Sequence, residues 1–472
     1  MGDGTAGERA AGAAPPEGSA GRAADLSGEL SAGNGVFLGS FAKADLTGGG
    51  YVESEHLVTG TACSYRALGA LGGDGRWQLA EDATAPFCTR VVVRRPRSAS
   101  DFSGTVVVEW LNVSSGYDAD VVWSNTHEEL IRSGHAWVGV SAQMIGAVGG
   151  PILTPFEGMP TESPGLRGID PDRYGSLDHP GDGFAFDMFT QVARAVRGGG
   201  GPMGELVPER LIAAGQSQSA YALVAYIDGV QPLTRAFDAY FVHSRGKVAM
   251  SLAPPGRPVN PAEERDGPAT IIRTDTDVPV LEVQTEGDLS HVLMSLDARQ
   301  PDSDTFRLWE VAGTSHADAH TLGPFADSVD AGVPMNRAPM HLVVKAGLHA
   351  LEAWVREGLA PPKASLIEVD ASDPPRVVRD ADGIAKGGIR LPVVDVPVEV
   401  LSGDPGPKDV ILFALFGSTL PLADGRLAEL YESRADYLER YERAADAVVA
   451  AGFVLDADRD ALLAEARPEM VG

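Results

Sequence analysis

The sequence predicts an α/β protein: a doubly wound, mostly parallel sheet with a lid-like insertion and a C-terminal helical extension. Three observations carry that reading. Short, continuously apolar runs recur through the first two thirds of the chain, as strands covered on both faces require. Stretches of helical spacing separate them, so strand and helix alternate as in βαβ units. Beyond about residue 360 the alternation stops.

Residues 1–35 are Ala, Gly, Ser, Pro and Glu with almost no large apolar side chain, too little to offset the entropy of ordering. They are expected to form a disordered leader. The leader has no continuous apolar stretch of the kind a secretory signal needs, which favours the cytoplasm. The main domain is expected over 36–360. Strands fit 51–67, 87–95, 105–111, 136–142, 210–214, 237–243, 280–284 and 306–311, with helices at 120–133, 184–197, 219–227 and 342–357. The run 105–111 (TVVVEWL) is apolar except for Thr105 and Glu109. Residues 145–182 are rich in Gly and Pro and read as a long loop. Residues 246–277, irregular and proline-bearing after a strand, are the expected lid. Residues 361–472 form the extension, expected to pack on the main domain. Within it, Leu427, Leu430, Tyr431, Leu438, Tyr441 and Val448 share one face of a helical stretch, 423–451.

Composition narrows the partners. Asp and Glu outnumber Lys and Arg 66 to 38, a net charge of -28 that repels nucleic acid and anionic lipid. No apolar run approaches the ~18 residues of a membrane span. Two cysteines, Cys63 and Cys88, cannot make a disulfide scaffold or a four-cysteine zinc site, and they fit a reducing compartment.

The chemistry is most legible at 211–220 (LIAAGQSQSA). A buried strand runs into Gly215-Gln216-Ser217-Gln218-Ser219, and a helix begins at once. A serine in such a strand–turn–helix projects its hydroxyl above the sheet, and the residues two positions away must be small because strand and helix crowd there. Gly215 and Ser219 satisfy that. The N–H of Gln218 then sits at a helix N-terminus, aimed at a developing oxyanion. A serine nucleophile needs a base, and the base needs an orienting acid. The strand 280–284 is followed by Thr285-Glu286-Gly287-Asp288, and 306–311 by Ala312-Gly313-Thr314-Ser315-His316. His316 is the expected base. Asp288, short and placed after a glycine turn, is the expected acid, with Glu286 the alternative. Val113, in the loop after 105–111, is the expected second oxyanion donor, with Asn112 next. His316, Asp318 and His320 alternate as metal ligands can, but a further ligand cluster is missing, so no metal is expected. Asp178, His179 and Asp182 are expected to hold the long loop rather than line a pocket.

Six segments together resemble the bacterial "alpha/beta hydrolase domain" family, whose nucleophile elbow reads G-x-S-Q-S: 104–112 (GTVVVEWLN), 173–182 (RYGSLDHPGD), 215–220 (GQSQSA), 279–288 (PVLEVQTEGD), 309–318 (WEVAGTSHAD) and 387–392 (GGIRLP). The resemblance implies an α/β-hydrolase fold and a hydrolase or esterase activity. Family members often carry an export signal, and none is evident here. The residues and the resemblance together imply a serine hydrolase of small-molecule carboxylic esters, with no cofactor. Acyl transfer to an alcohol would use the same residues, and a hydrolase-like binding protein would be expected to lack one of the three. The charge of -28 favours a neutral ester over a phosphoester. Trp110, Tyr117, Trp123, Phe156, Phe184 and Phe186 lie near segments that feed the pocket mouth, though core packing is the ordinary role of such rings.

Overall fold

Apolar runs of five to seven residues become six of the nine strands of one sheet in the computed structural model, which describes residues 21–40, 44–152, 160–260, 265–408, 410–423 and 425–472. The strands are β1 (Asp25–Glu29), β2 (Tyr51–Ala67), β3 (Leu79–Pro96), β4 (Thr105–Trp110), β5 (Ala136–Val140), β6 (Arg210–Gln216), β7 (Ala239–His243), β8 (Val280–Thr285) and β9 (Phe306–Val311). Their order is β1-β2-β3-β5-β4-β6-β7-β8-β9. The first three pair antiparallel, β3 also meets β5 antiparallel, and every later pairing is parallel.

The central strands are apolar throughout because both faces are covered. Within β4, Val106 and Val108 join a core shared with α2 (Ala185–Arg197) and α3 (Gln218–Ala225). Val107, between them, joins the opposite core with α1 (Val121–Arg132) and α4 (Met340–Glu357). That is the two-residue period of a strand sorting side chains between two layers. Glu109, the charge in this run, caps α1. Its carboxylate accepts the N–H groups of Val122 at 2.8 Å and Trp123 at 2.9 Å, and Trp137 Nε1–H at 2.8 Å. Burial pushes its carboxyl up to about 8 despite these donors.

The N-terminal expectation needs correcting. Residues 1–20 lie outside the described residues, but β1 falls inside the expected leader. It pairs with the edge of the long β2 and buries Ala24 and Leu26 beside it. Backbone pairing to an open edge needs little apolar side chain, so composition alone missed it. Arg173 fastens the segment, donating from Nη1 to Ala32 O at 2.5 Å and from Nη2 to Leu30 O at 2.8 Å.

The extension is not a separate layer. Ile367, Ile389, Leu391, Val394, Tyr437, Tyr441 and Val448 pack into the same core as Trp309, Val311 and Leu342. The buried face of α5 (Arg434–Ala450) is Tyr437, Tyr441, Ala445 and Val448, while Leu438 is exposed, because the helix starts anew after a break at Tyr431. The stretch 387–401, whose sequence reads as β-like, holds isolated bridges at Gly387 and Ile389, a short helix, Pro392–Asp395, and at its end a strand, Glu399–Ser402, paired antiparallel with Ser418–Pro421. Cys63 stands opposite Thr84 and Cys88 opposite Thr59 across β2 and β3, four places out of register, and neither is in a disulfide. Among the described residues, no helix is long and apolar enough to cross a membrane.

Candidate active site

β6 ends at Gln216 and α3 starts at Gln218, which leaves Ser217 alone in the turn with φ 59° and ψ -120°. A positive φ costs a non-glycine residue roughly 1–3 kcal/mol, and here the neighbours hold it. Ser217 N–H donates to His243 O on β7 at 2.9 Å, and Ser219 Oγ bridges back to both N and O of Gln216 at 2.9 Å. Gly215 has no room for a side chain: a Cβ there would lie 3.0 Å from the Ser219 carbonyl.

Three strand exits meet at this turn. His316 Nε2 lies 2.8 Å from Ser217 Oγ, and His316 Nδ1–H donates to Asp288 Oδ1 at 2.6 Å. The other Asp288 oxygen accepts Thr285 N–H at 2.7 Å. Burial raises the Asp288 carboxyl, but the charge and hydrogen bond of His316 and the Thr285 N–H outweigh it and hold it below its ordinary value. An ionised carboxylate there fixes the imidazole with Nε2 facing the serine.

Glu286, two residues earlier, points elsewhere. Its Oε2 accepts Gly313 N–H at 2.7 Å, and its Oε1 accepts from Arg379 at 2.7 Å, Gly403 N–H at 2.9 Å and Ser402 Oγ at 3.2 Å. This carboxylate ties the histidine loop to the C-terminal extension and makes no bond to His316.

Ser217 and His316 open into a cavity of about 360 Å³ lined by Asn112, Ser115, Tyr117, Ile152, Phe325 and Leu415, among others. Among the described residues, its lining includes no Asp, Glu, Lys or Arg. Gly39 and Ser40 come from the N-terminal segment, Leu322 and Phe325 from just beyond His316, and Leu412, Leu415 and Phe416 from the extension. No described residue of 246–277 is among them. That segment packs beside α3 and the long loop, with Met250 N–H on Tyr221 O and Gly256 N–H on Pro180 O. Leu412, Leu415 and Phe416 line the cavity instead, within the apolar run 410–416 (VILFALF), a signal that the sequence reading left unassigned. A larger hollow of about 710 Å³, lined by Leu289, His291, Arg376 and Arg379, lies outside the acid loop and touches neither Ser217 nor His316.

The remaining expected residues sort as follows. Of the aromatics, Tyr117 reaches the cavity, Trp110, Trp123, Phe184 and Phe186 are core, and Phe156 lies outside the described residues. Asp182 accepts Met144 N–H at 2.7 Å and Val259 N–H at 2.8 Å, and His179 Nε2 sits 2.9 Å from Ala142 O, so both hold loops together. Asp178 bridges by its backbone to Cys88. Asp318 caps a short helix through Thr321 N–H at 2.8 Å, and the His320 ring stacks on His341 at 3.8 Å. The N–H of Val113 is engaged inside the protein, donating to Gln218 Oε1 at 3.2 Å, and the Gln218 side chain also donates to Gln143 at 2.5 Å. One residue beside the site escaped the sequence reading: His243 is fully buried next to the Ser217 turn, and neither ring nitrogen has a hydrogen-bond partner. Burial pushes its imidazole down to about 4.

Residues 20–464 match the model of a family described as "Alpha/beta hydrolase domain". No curated protein matches this chain. Among solved structures, the chain resembles a fungal esterase from Rhizomucor miehei at 11% identity, covering 65% of this chain and 85% of that one, with a TM-score of 0.34. It also resembles a carboxylesterase from Lactobacillus plantarum at 12% identity, covering 50% and 75%, with a TM-score of 0.27. A glucuronoyl esterase from Teredinibacter turnerae matches at 15% identity over 52% and 60%, with a TM-score of 0.27.

Proposed function

The chain belongs to the alpha/beta hydrolase domain family, and from that premise we propose that it is a serine hydrolase of neutral carboxylic esters. The observation that carries the reading is the relay from Ser217 Oγ to His316 Nε2 at 2.8 Å and from His316 Nδ1 to Asp288 at 2.6 Å, at a cavity whose described lining is free of Asp, Glu, Lys and Arg. Ser217 Oγ attacks the acyl carbon as its proton passes to His316 Nε2. The carbonyl electron pair moves onto oxygen, facing Gln218 N–H at the start of α3. Collapse of this intermediate expels the alcohol, which takes the proton from His316. Water, deprotonated by His316, then releases the acid and restores Ser217. Asp288 keeps the imidazole in the required tautomer and stabilises its charged form.

The cavity supports the substrate class. A pocket of about 360 Å³ is in the range that holds small molecules, and among the described residues its lining carries no Lys or Arg to neutralise a phosphate or sulfate. The test is a panel of p-nitrophenyl acyl, phosphate and sulfate esters, with fluorophosphonate labelling of Ser217. Turnover of acyl esters that is lost in Ser217→Ala, by a factor on the order of 10³–10⁶, is expected. Near-normal acyl-ester turnover in Ser217→Ala, or activity confined to phosphate or sulfate esters, would sink the reading.

A further inference from the structure

An oxyanion at Ser217 needs a second donor opposite Gln218 N–H, and in this fold it comes from the loop after β4, ordinarily from its backbone. Here the first four backbone N–H groups past β4 are spent. Leu111 N–H donates to Val140 O at 3.2 Å, Asn112 N–H to Ala119 O at 3.0 Å, Val113 N–H to Gln218 Oε1 at 3.2 Å and Ser114 N–H to Asn112 Oδ1 at 2.8 Å. Val113 is fully buried and does not line the cavity, whereas Asn112 does.

The Asn112 amide is differently placed. Its Oδ1 accepts the Ser114 N–H, and its Nδ2 donates to Gln216 O at 2.9 Å. One partner is an obligate donor and the other an obligate acceptor, so only one orientation of the amide satisfies both. Nδ2 carries two protons, and Gln216 takes one. The amide is therefore held at both ends beside the residue preceding Ser217, its second Nδ2 proton engaged by no hydrogen bond among the described residues, and Asn112 lines the same cavity as Ser217.

We propose that the side-chain amide of Asn112 is the second oxyanion donor, in the position where the fold ordinarily uses a backbone N–H. This rests on the serine-hydrolase reading. As the Ser217 Oγ–carbon bond forms and the carbonyl π bond opens, the oxygen gains its electron pair between Gln218 N–H and Asn112 Nδ2–H. Asn112 gives up no proton, and both donors let go when the alcohol departs and the carbonyl reforms. Because the amide is held before substrate arrives, its dipole needs no reorganisation in the reacting complex.

The test is steady-state hydrolysis of p-nitrophenyl butyrate by the full chain carrying Asn112→Ala or Asn112→Thr, with inhibition by phenylboronic acid, whose tetrahedral adduct on Ser217 puts an oxygen where the oxyanion forms. For Asn112→Ala the expected results are a kcat lower by about 10²–10³-fold, a KM within about threefold, and boronate affinity lost in parallel with kcat/KM. Threonine, which restores a donor hydroxyl, is expected to recover part of the kcat. A kcat for Asn112→Ala within about threefold of wild type would overturn the proposal, as would a fall in kcat that leaves boronate affinity intact. If Asn112→Ala does not fold, Asn112→Thr alone decides on the same two readouts. Failure here with Ser217→Ala inactive leaves the hydrolase reading standing, whereas an active Ser217→Ala removes both.

Discussion

Asp288 and Glu286 show how two carboxylates on one short turn come to differ. Both are buried, and a residue apart they would compete for the same imidazole. The 3₁₀ turn over Glu286–Asp288 sends Asp288 to His316, while Glu286 takes two backbone N–H groups and the Arg379 guanidinium. Asp288→Asn is expected to lower kcat by up to about 10⁴-fold with a small change in Tm, since the amide oxygen can still accept Thr285 N–H while its NH2 faces His316 and selects the wrong tautomer. Glu286→Gln is expected to lower stability by roughly 3 kcal/mol, read by thermal melting, because it strips a buried partner from Arg379, with a far smaller loss of kcat. The reverse pattern would move the acid to Glu286. His243 gives a second test at this scale. Its folded pKa of about 4 lies below the ordinary ~6.5, so its contribution to stability is complete above pH ~6.5 and disappears as pH falls toward 4. The term amounts to about 3 kcal/mol. Melting curves from pH 7 to 4 should therefore fall more steeply for the wild type than for His243→Leu, and parallel curves would refute the assignment.

At the scale of elements, legibility followed the source of the stabilising energy. The strands β4 to β9 are held by apolar side chains on two faces, and those runs stand out in sequence. The elbow was readable because sterics restrict what can flank Ser217. The strand β1 was not, because its bonds are between backbones and carry no side-chain signature. The covering of the cavity was not either: Gly39, Ile152, Phe325 and Leu415 meet only after folding, and nothing local in each segment reports the others. The same distinction yields a prediction. Removing residues up to 30 uncovers the β2 edge and takes from Arg173 its bond to Leu30 O. Such a chain is expected to lose a few kcal/mol in thermal melting and to self-associate in sedimentation, as an open edge recruits other strands. A monomer of unchanged Tm would show that β1 adds nothing.

For the whole molecule, one core runs from the sheet into the extension, so the chain is expected to unfold as a unit. Calorimetry of the full chain should show a single transition, and a chain stopped after residue 360 should be insoluble, because Trp309, Val311 and Leu342 would lose Ile389, Val394 and Tyr441 as cover. Two separated transitions would contradict this. The net charge of -28 acts at the same scale. Screening shortens from about 30 Å in 0.01 M salt to about 8 Å in 0.15 M. An anionic ester should therefore show a KM that falls as salt is added, while that of a neutral ester of similar size stays flat. Equal salt responses would place the charge too far from the cavity to steer substrates.

Leu412, Leu415 and Phe416 line the cavity but contribute no atom to the relay among Ser217, His316 and Asp288. One part of the cavity wall is thus written in a stretch of the chain that the relay does not use. On the proposed hydrolase reading, a lineage can redraw that wall while copying the relay unchanged, so descendants of this protein can change what they accept by rewriting the few codons that spell 412–416.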